Sequence, residues 1–266
     1  MKAKLTGVSE TLLIPLWARA SETVRSDSII KDNKAVEMVK KIDYDFSKFE
    51  NGWMSQTGVS VRTKIFDDEI KKFISKYPDA VIINIGCGLD TRFERIDNGK
   101  ITWYDLDLPE SIEVRKKFFE ESDRYKMIAK SVLDNSWTRY VSRKDKKLLV
   151  MAEGILMYFS KDEVIKMFDI LKDEFRTFKF LGEISAPFVV KNSKKHETVK
   201  KINSNAVFKW GIKNAKELET YRSYIKVIDE WNFFDFNKPR WRFMGKLSIF
   251  PFIKNMNNRI VDLEIK

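Results

Sequence analysis

Apolar residues change their period along this chain near residue 79. Upstream they recur at helical spacing. Residues 10–20 are apolar on one side, residues 34–42 align Ala35, Val36, Met38, Val39 and Ile42, and residues 61–77 align Val61, Ile65, Phe66, Ile70, Phe73 and Ile74. Pro78-Asp79 ends the last of these helices. Downstream, short apolar runs alternate with helical patterns. Residues 80–85, 101–106, 125–130, 147–152 and 177–183 predict buried strands. Residues 109–120, opened by Pro109, and 161–173, with Val164, Ile165, Met167, Phe168 and Leu171 on one side, predict helices. Strands that alternate with helices predict a doubly wound, mostly parallel sheet with helices on both faces, a Rossmann-like α/β fold.

The alternation breaks after Ser185. Residues 187–221 read as a helical insertion, and residues 223–228 and 259–265 supply two more strands, for an expected seven. Between them lie Trp231, Phe233, Phe234, Phe236, Trp241 and Phe243. They are expected mainly as core or lid packing, with some lining a pocket for a flat or apolar molecule. A single domain over 1–266 follows, in four parts: a helical cap (1–78), a cofactor-binding core (79–184), a helical insertion or lid (185–222) and the last part of the sheet (223–266).

Composition narrows the class. Hydrophobic residues make up 43% of the 266, enough for one sizeable core. No run of about 18 apolar residues is present, which argues against a membrane span. Leu12-Leu13-Ile14-Pro15-Leu16-Trp17 is too short for a secretory leader and lacks its small-residue end. The one cysteine, Cys87, excludes an internal disulfide and a cysteine-built zinc cluster. A soluble, cytoplasmic protein with no metal is expected. The net charge of +11 is spread in short clusters, such as 144–147 and 191–201, and reads as a solvated lysine-rich surface more than a nucleic-acid stripe. An anionic small molecule suits either reading.

Chemistry enters at the strand ends. Asn84-Ile85-Gly86-Cys87-Gly88-Leu89-Asp90 follows the first strand, where a Gly-x-Gly turn lets the backbone approach a ligand closely. The dinucleotide fingerprint needs a further glycine where this chain has Thr91, and Arg92 to Ile96 crowd the following helix start, so NAD and FAD are disfavoured. About twenty residues on, Trp103-Tyr104-Asp105-Leu106-Asp107-Leu108-Pro109 ends the second strand with a carboxylate suited to a ribose diol. Asp107 is the favoured residue, with Leu108 against adenine; the plain alternative is a helix cap. Asp134, after the third strand, either reaches an adenine amino group or is an ordinary turn residue. Glu153, after the fourth, stands where the reacting end of a bound cofactor would lie. A structural glutamate at that buried edge would need a partner.

This order of motifs resembles the leucine carboxyl methyltransferase family, and more closely its bacterial branch of tetracenomycin-type polyketide O-methyltransferases. The likeness rests on Ser60-Val61-Arg62-Thr63, on residues 81–93 through Leu89-Asp90-Thr91-Arg92, on residues 103–110 and on Ala152-Glu153-Gly154-Ile155-Leu156-Met157-Tyr158. Residues 18–20 and 32–35 also resemble the branch's N-terminal helices. It spans roughly residues 10–185 and leaves the remainder, where acceptor choice would lie, without a matching motif. The resemblance implies a class I methyltransferase that uses S-adenosylmethionine. It implies Arg62 on the cofactor carboxylate, Gly86 under the cofactor, Asp107 on the ribose, Glu153 near the methionyl part and Tyr158 near the transfer site. Arg19 is a further basic candidate, and Cys87, Gly88 and Asp90 accompany the glycine turn.

Methyl transfer from a sulfonium is an in-line displacement in which protein groups align the partners and exclude water. A phenol acceptor needs a base; a carboxylate, with a pKa of about 4, does not. His196, the single histidine, sits in a lysine-rich stretch and reads as a surface residue. Scarce bases favour a carboxylate, while Tyr158 or an acid such as Glu153 remains for a phenol. Arg222, Arg240 and Arg242 are candidates to attract an anion. The expected partner is an anionic small acceptor, with no membrane and no nucleic acid. Alternatives are a protein C-terminal carboxylate, a nucleic acid or a cofactor-binding protein without turnover. Base-amino methyltransferases commonly carry Asn/Asp-Pro-Pro-aromatic where this chain has Glu153-Gly154-Ile155-Leu156.

Overall fold

The computed structural model describes residues 10–193 and 207–266. Its sheet has seven strands: β1 (Val81–Ile85), β2 (Thr102–Asp107), β3 (Tyr125–Ala129), β4 (Leu148–Ala152), β5 (Phe178–Ile184), β6 (Ile225–Asn232) and β7 (Arg259–Ile265). Their order is β3-β2-β1-β4-β5-β7-β6, parallel from β3 to β5, with β7 antiparallel to both β5 and β6. The chain reverses its winding between β1 and β4, and the crevice at such a switch point is where open α/β sheets bind ligands.

Side-chain alternation along the strands divides the core into two layers. Ile82, Trp103, Leu149, Met151 and Leu181 face α1 (Leu13–Thr23), α2 (Asn33–Lys41) and α3 (Trp53–Lys76), whereas Ile83, Leu106, Val150 and Ile184 face α6 (Lys161–Phe175). Strands β1 and β4 are buried along their whole length, as their near-continuous apolar runs require. The helix α6 opens with a capping box between Ser160 and Glu163.

Several expected boundaries move. The helix expected over 61–77 begins two turns earlier, at Trp53. Its first turns bury Ser55, Thr57 and Ser60, whose polar side chains hide the apolar period. The helix expected over 109–120 is α5 (Pro109–Arg115), beyond which Lys117 and Phe118 make three-residue turn bonds, to Val114 and Arg115. The insertion expected to be helical over 185–222 carries helix at α7 (Pro187–Lys191) and α8 (Lys216–Glu219) among its described residues. Lys209 and Trp210 instead donate their amides to the Met157 carbonyl, which ties this backbone to the turn after β4. His196 lies outside the described residues. In the aromatic stretch Phe233, Phe234 and Trp241 are core, while Phe243 is exposed.

Candidate functional site

The site lies at the C-terminal ends of β1, β2, β4 and β5. Gly86 and Gly88 hold φ of +64° and +47° in the turn after β1, a region that favours glycine. A Cβ on Gly86 would stand 2.8 Å from Ile155, and one on Gly88 would stand 2.9 Å from Leu12. The Gly86 and Cys87 amides donate to the Leu106 carbonyl, which binds the turn to β2. Cys87 is buried, and burial pushes its thiol up, so it stays protonated.

Asp107 closes the far side of this turn. Its carboxylate accepts from the Gly88 and Leu108 amides, both at 2.7 Å. Burial nevertheless pushes its carboxyl above the ordinary value, against those bonds and a further one from Ser111. Leu108, 48% exposed, offers an apolar surface beside it. Asp105 has a different role. Fully buried, it pairs with Arg115 at 2.6 Å and accepts from Asn84, Trp103 and Tyr125.

Under the turn runs a buried network of ion pairs. Arg62, from α3, donates through Nε to Glu153 and through Nη1 to Glu183, both at 2.9 Å. Arg92, from α4 (Arg92–Ile96), reaches Glu153 at 2.6 Å, Asp67 at 2.6 Å and Asp90. Arg95 joins Asp67 to Asp32, and Asp32 holds Arg19, which also donates to the Leu89 carbonyl at 2.7 Å. The Asp90 carboxyl is held down to about 2: burial opposes this, but Arg92, Arg95 and Arg19 outweigh it.

The expected residues therefore fall into three groups. Gly86, Cys87, Gly88, Asp107 and Leu108 form the turn and the strand end beside it. Arg62, Asp90 and Glu153 belong to the ionic layer, where Glu153 has the partners that its burial demands, and Arg19 ties α1 to the turn's Leu89. Tyr158 is near Arg62 and Glu183, with its ring edge-on to Phe208 at 5.3 Å and its hydroxyl bonded to the Thr11 side chain; burial pushes its phenol up. Asp134 behaves as a turn residue, accepting from the Ser136 amide at 2.9 Å on the loop after β3. Arg222 and Arg240, expected to draw in an anion, are instead paired two-pronged with Asp169 and Glu22. Arg242 lies 4.4 Å from the Trp53 ring centre.

Sequence reasoning passed over Arg92, Asp67 and Glu183. In sequence Arg92 only crowds the helix start after the glycine turn. Glu183 did carry a signal, a lone acid in an otherwise apolar strand end. Taken together, a turn that excludes side chains, a carboxylate at the β2 end and a buried guanidinium at the β4 end fit the nucleoside and amino-acid ends of S-adenosylmethionine.

Comparison with known proteins identifies the family. The sequence profile of the leucine carboxyl methyltransferase family matches residues 13–172. The tetracenomycin polyketide synthesis O-methyltransferase TcmP of Streptomyces glaucescens is 31% identical over 233 residues, 87% of this chain and 85% of that protein. An S-adenosyl-L-methionine-dependent methyltransferase, dpfgK, of Gibberella zeae is 27% identical over 247 residues, 85% of this chain and 82% of its own. A DUF574-family protein from Streptomyces avermitilis superposes with a TM-score of 0.59 at 9% identity, covering 94% of this chain and 97% of its own. Magnesium protoporphyrin IX methyltransferase from Synechocystis, solved with bound SAH, gives 0.50 at 7% identity, covering 88% and 94%. These two structures bear on the fold alone.

Proposed function

This chain belongs to the leucine carboxyl methyltransferase family, and from that premise we propose that it methylates a carboxylate or phenol oxygen of a small, polyketide-like, anionic molecule. It is an S-adenosylmethionine-dependent methyltransferase. The cofactor, when bound, supplies the activated methyl group. Asp107 takes the ribose diol, Leu108 lies against the adenine, and the Gly86–Gly88 turn admits the backbone to close contact. Arg62 takes the methionyl carboxylate, held in place by Glu153. Tyr158 and Phe208 wall the transfer site with buried aromatic surface, which excludes water. The residues from 185 onward select the acceptor.

The observation that carries the small-molecule reading is the likeness to a polyketide O-methyltransferase over 87% of this chain. A carboxylate needs no base. A phenol needs one, and Tyr158 and Glu153 are the groups assigned to that role.

Calorimetric titration with S-adenosylmethionine and S-adenosylhomocysteine, with NAD as control, tests the site. Binding of the first two and not of NAD is expected, weakened by roughly 10- to 100-fold in Asp107→Ala. Labelled methyl transfer to a panel of aryl carboxylates and phenols tests the acceptor: a methyl ester is cleaved by mild alkali and an aryl ether is not. Transfer confined to nucleic acid or to protein C-termini would overturn the small-molecule reading.

A further inference from the structure

The connection between β6 and β7 turns apolar side chains outward. It holds α9 (Arg242–Leu247) and α10 (Pro251–Lys254). Five of the twelve large apolar side chains that are exposed among the described residues fall within 243–252: Phe243, Leu247, Ile249, Phe250 and Phe252. Ile249 is 72% exposed and Phe252 75%. A single exposed hydrophobic residue is ordinary, whereas a cluster marks a surface that meets something.

Other residues fix the segment to the protein. Trp241, Gly245 and Ser248 are buried on its inward side. The Trp241 indole donates to the Phe236 carbonyl at 3.0 Å, and Ser248 Oγ donates to the Gly245 carbonyl at 2.8 Å. A Cβ on Gly245 would collide with the Lys238 carbonyl. Farther along, Asn232 donates to the Lys254 carbonyl at 2.9 Å. A surface helix normally turns its apolar stripe inward. Here glycine and serine lie inward, and phenylalanine, leucine and isoleucine face solvent.

Charge then separates the possible occupants. From Phe236 to Val261 the chain has six basic residues and no acidic one, although 39 of its 266 residues are acidic. Arg240, Lys254 and Arg259 pair with acids outside the stretch. Lys238, Arg242 and Lys246 are exposed and have no ion-pair partner among the described residues; Arg242 lies over the Trp53 ring. Two copies joined through this face would bring like charges together, on chains that each carry +11. Single-stranded nucleic acid is held by flat rings that stack on bases, and Leu247 and Ile249 offer none. Apolar tips flanked by cations suit an anionic bilayer, where the tips enter the headgroup boundary and the cations meet phosphates.

We propose that the β6–β7 connection docks the protein on an anionic phospholipid membrane. Phe243, Ile249, Phe250 and Phe252 enter the headgroup layer, and Arg242 and Lys246 meet lipid phosphates. This replaces the expectation of no membrane partner with peripheral docking. No helix among the described residues is long and apolar enough to cross a bilayer. The connection ends beside the C-terminal end of β5, where Arg259 pairs with Ile184 and Asn258 donates to Glu183 at 2.9 Å. Docking therefore holds the cofactor edge of the sheet near the lipid.

Flotation of the purified full chain tests this, with vesicles of phosphatidylcholine alone and of phosphatidylcholine and phosphatidylglycerol in equal parts. Binding about tenfold or more tighter to the mixed vesicles is expected, and it should weaken as salt is raised. Phe250→Ser combined with Phe252→Ser is expected to lower that binding about tenfold or more. Lys246→Glu is expected to lower it about tenfold, and it carries the test should the double variant fail to fold. Affinity for S-adenosylhomocysteine is expected to stay within about twofold in each variant, which also checks folding. No binding to the mixed vesicles overturns the proposal, and so does equal binding by the parent and the variants. Dimers in sedimentation velocity that the same substitutions abolish, without vesicle binding, would assign the face to a second copy. RNA retention lost in those variants, again without vesicle binding, would assign it to nucleic acid.

Discussion

Gly154 sits at φ +70°, and a Cβ there would stand 3.2 Å from Arg62 Nη2. The bare Cα lets the guanidinium lie against the backbone between its two acids. Gly154→Ala adds backbone strain and pushes Arg62 aside. It is expected to cost about 1–2 kcal/mol of stability by denaturant titration, and to weaken S-adenosylhomocysteine more than 5′-methylthioadenosine. Asp90 makes a second prediction. Its folded carboxyl is held down to about 2, below an ordinary value of 3.8. A depressed acid stabilises the fold fully above its unfolded pKa, and the contribution is lost as pH falls through the folded one. Thermal unfolding should therefore show stability falling from about pH 4 toward pH 2, with a shallower fall in Asp90→Asn. Little of this was legible from local sequence. The glycine turn and Asp107 were, because each belongs to a strand-end motif with its own spacing.

The helix α6 shows how an element is set by its ends. Ser160 accepts from the Glu163 amide, and Glu163 reaches back to the Ser160 amide at 2.7 Å. Ser160→Ala is expected to lower stability by about 1 kcal/mol, read as a shift in urea midpoint with the slope unchanged. The periodic segments, α6 among them, were legible because one face of each meets the sheet and must be apolar. The start of α3 was not. Its first turns bury Ser55, Thr57 and Ser60, where Ser60 bonds to the Gln56 carbonyl one turn back in the same helix and Thr57 to the Arg240 carbonyl of a separate element. The insertion after β5 misled for a related reason: its apolar residues, Phe208 and Trp210 among them, pack as isolated anchors rather than along a helix face.

At the scale of the molecule, the ionic layer joins α1, α3, α4 and the ends of β4 and β5 beneath the cofactor turn. Removing one member strands its partners. Arg92→Met leaves Asp67, Asp90 and Glu153 short of a cation and is expected to cost about 3–5 kcal/mol, a large share of a typical domain's stability. Denaturant titration checks it, and a loss below about 1 kcal/mol would mean that water or protonation compensates. This layer also separates what each source of information decides. Hydrophobic period, strand-end glycines and a carboxylate at the second strand's end are local properties, and from them the sequence alone determined the doubly wound sheet and the cofactor turn, while the family rested on the likeness of its motifs to known ones. Which charges meet is a long-range property. Arg62 and Glu153 are 91 residues apart, and Asn258 and Glu183 are 75 apart. Arg222 and Arg240 look as available in sequence as Arg62, yet Asp169 and Glu22 occupy them. Only the tertiary structure decided these pairings, because a charge's partner is set by the packing of separate elements and not by its neighbours along the chain.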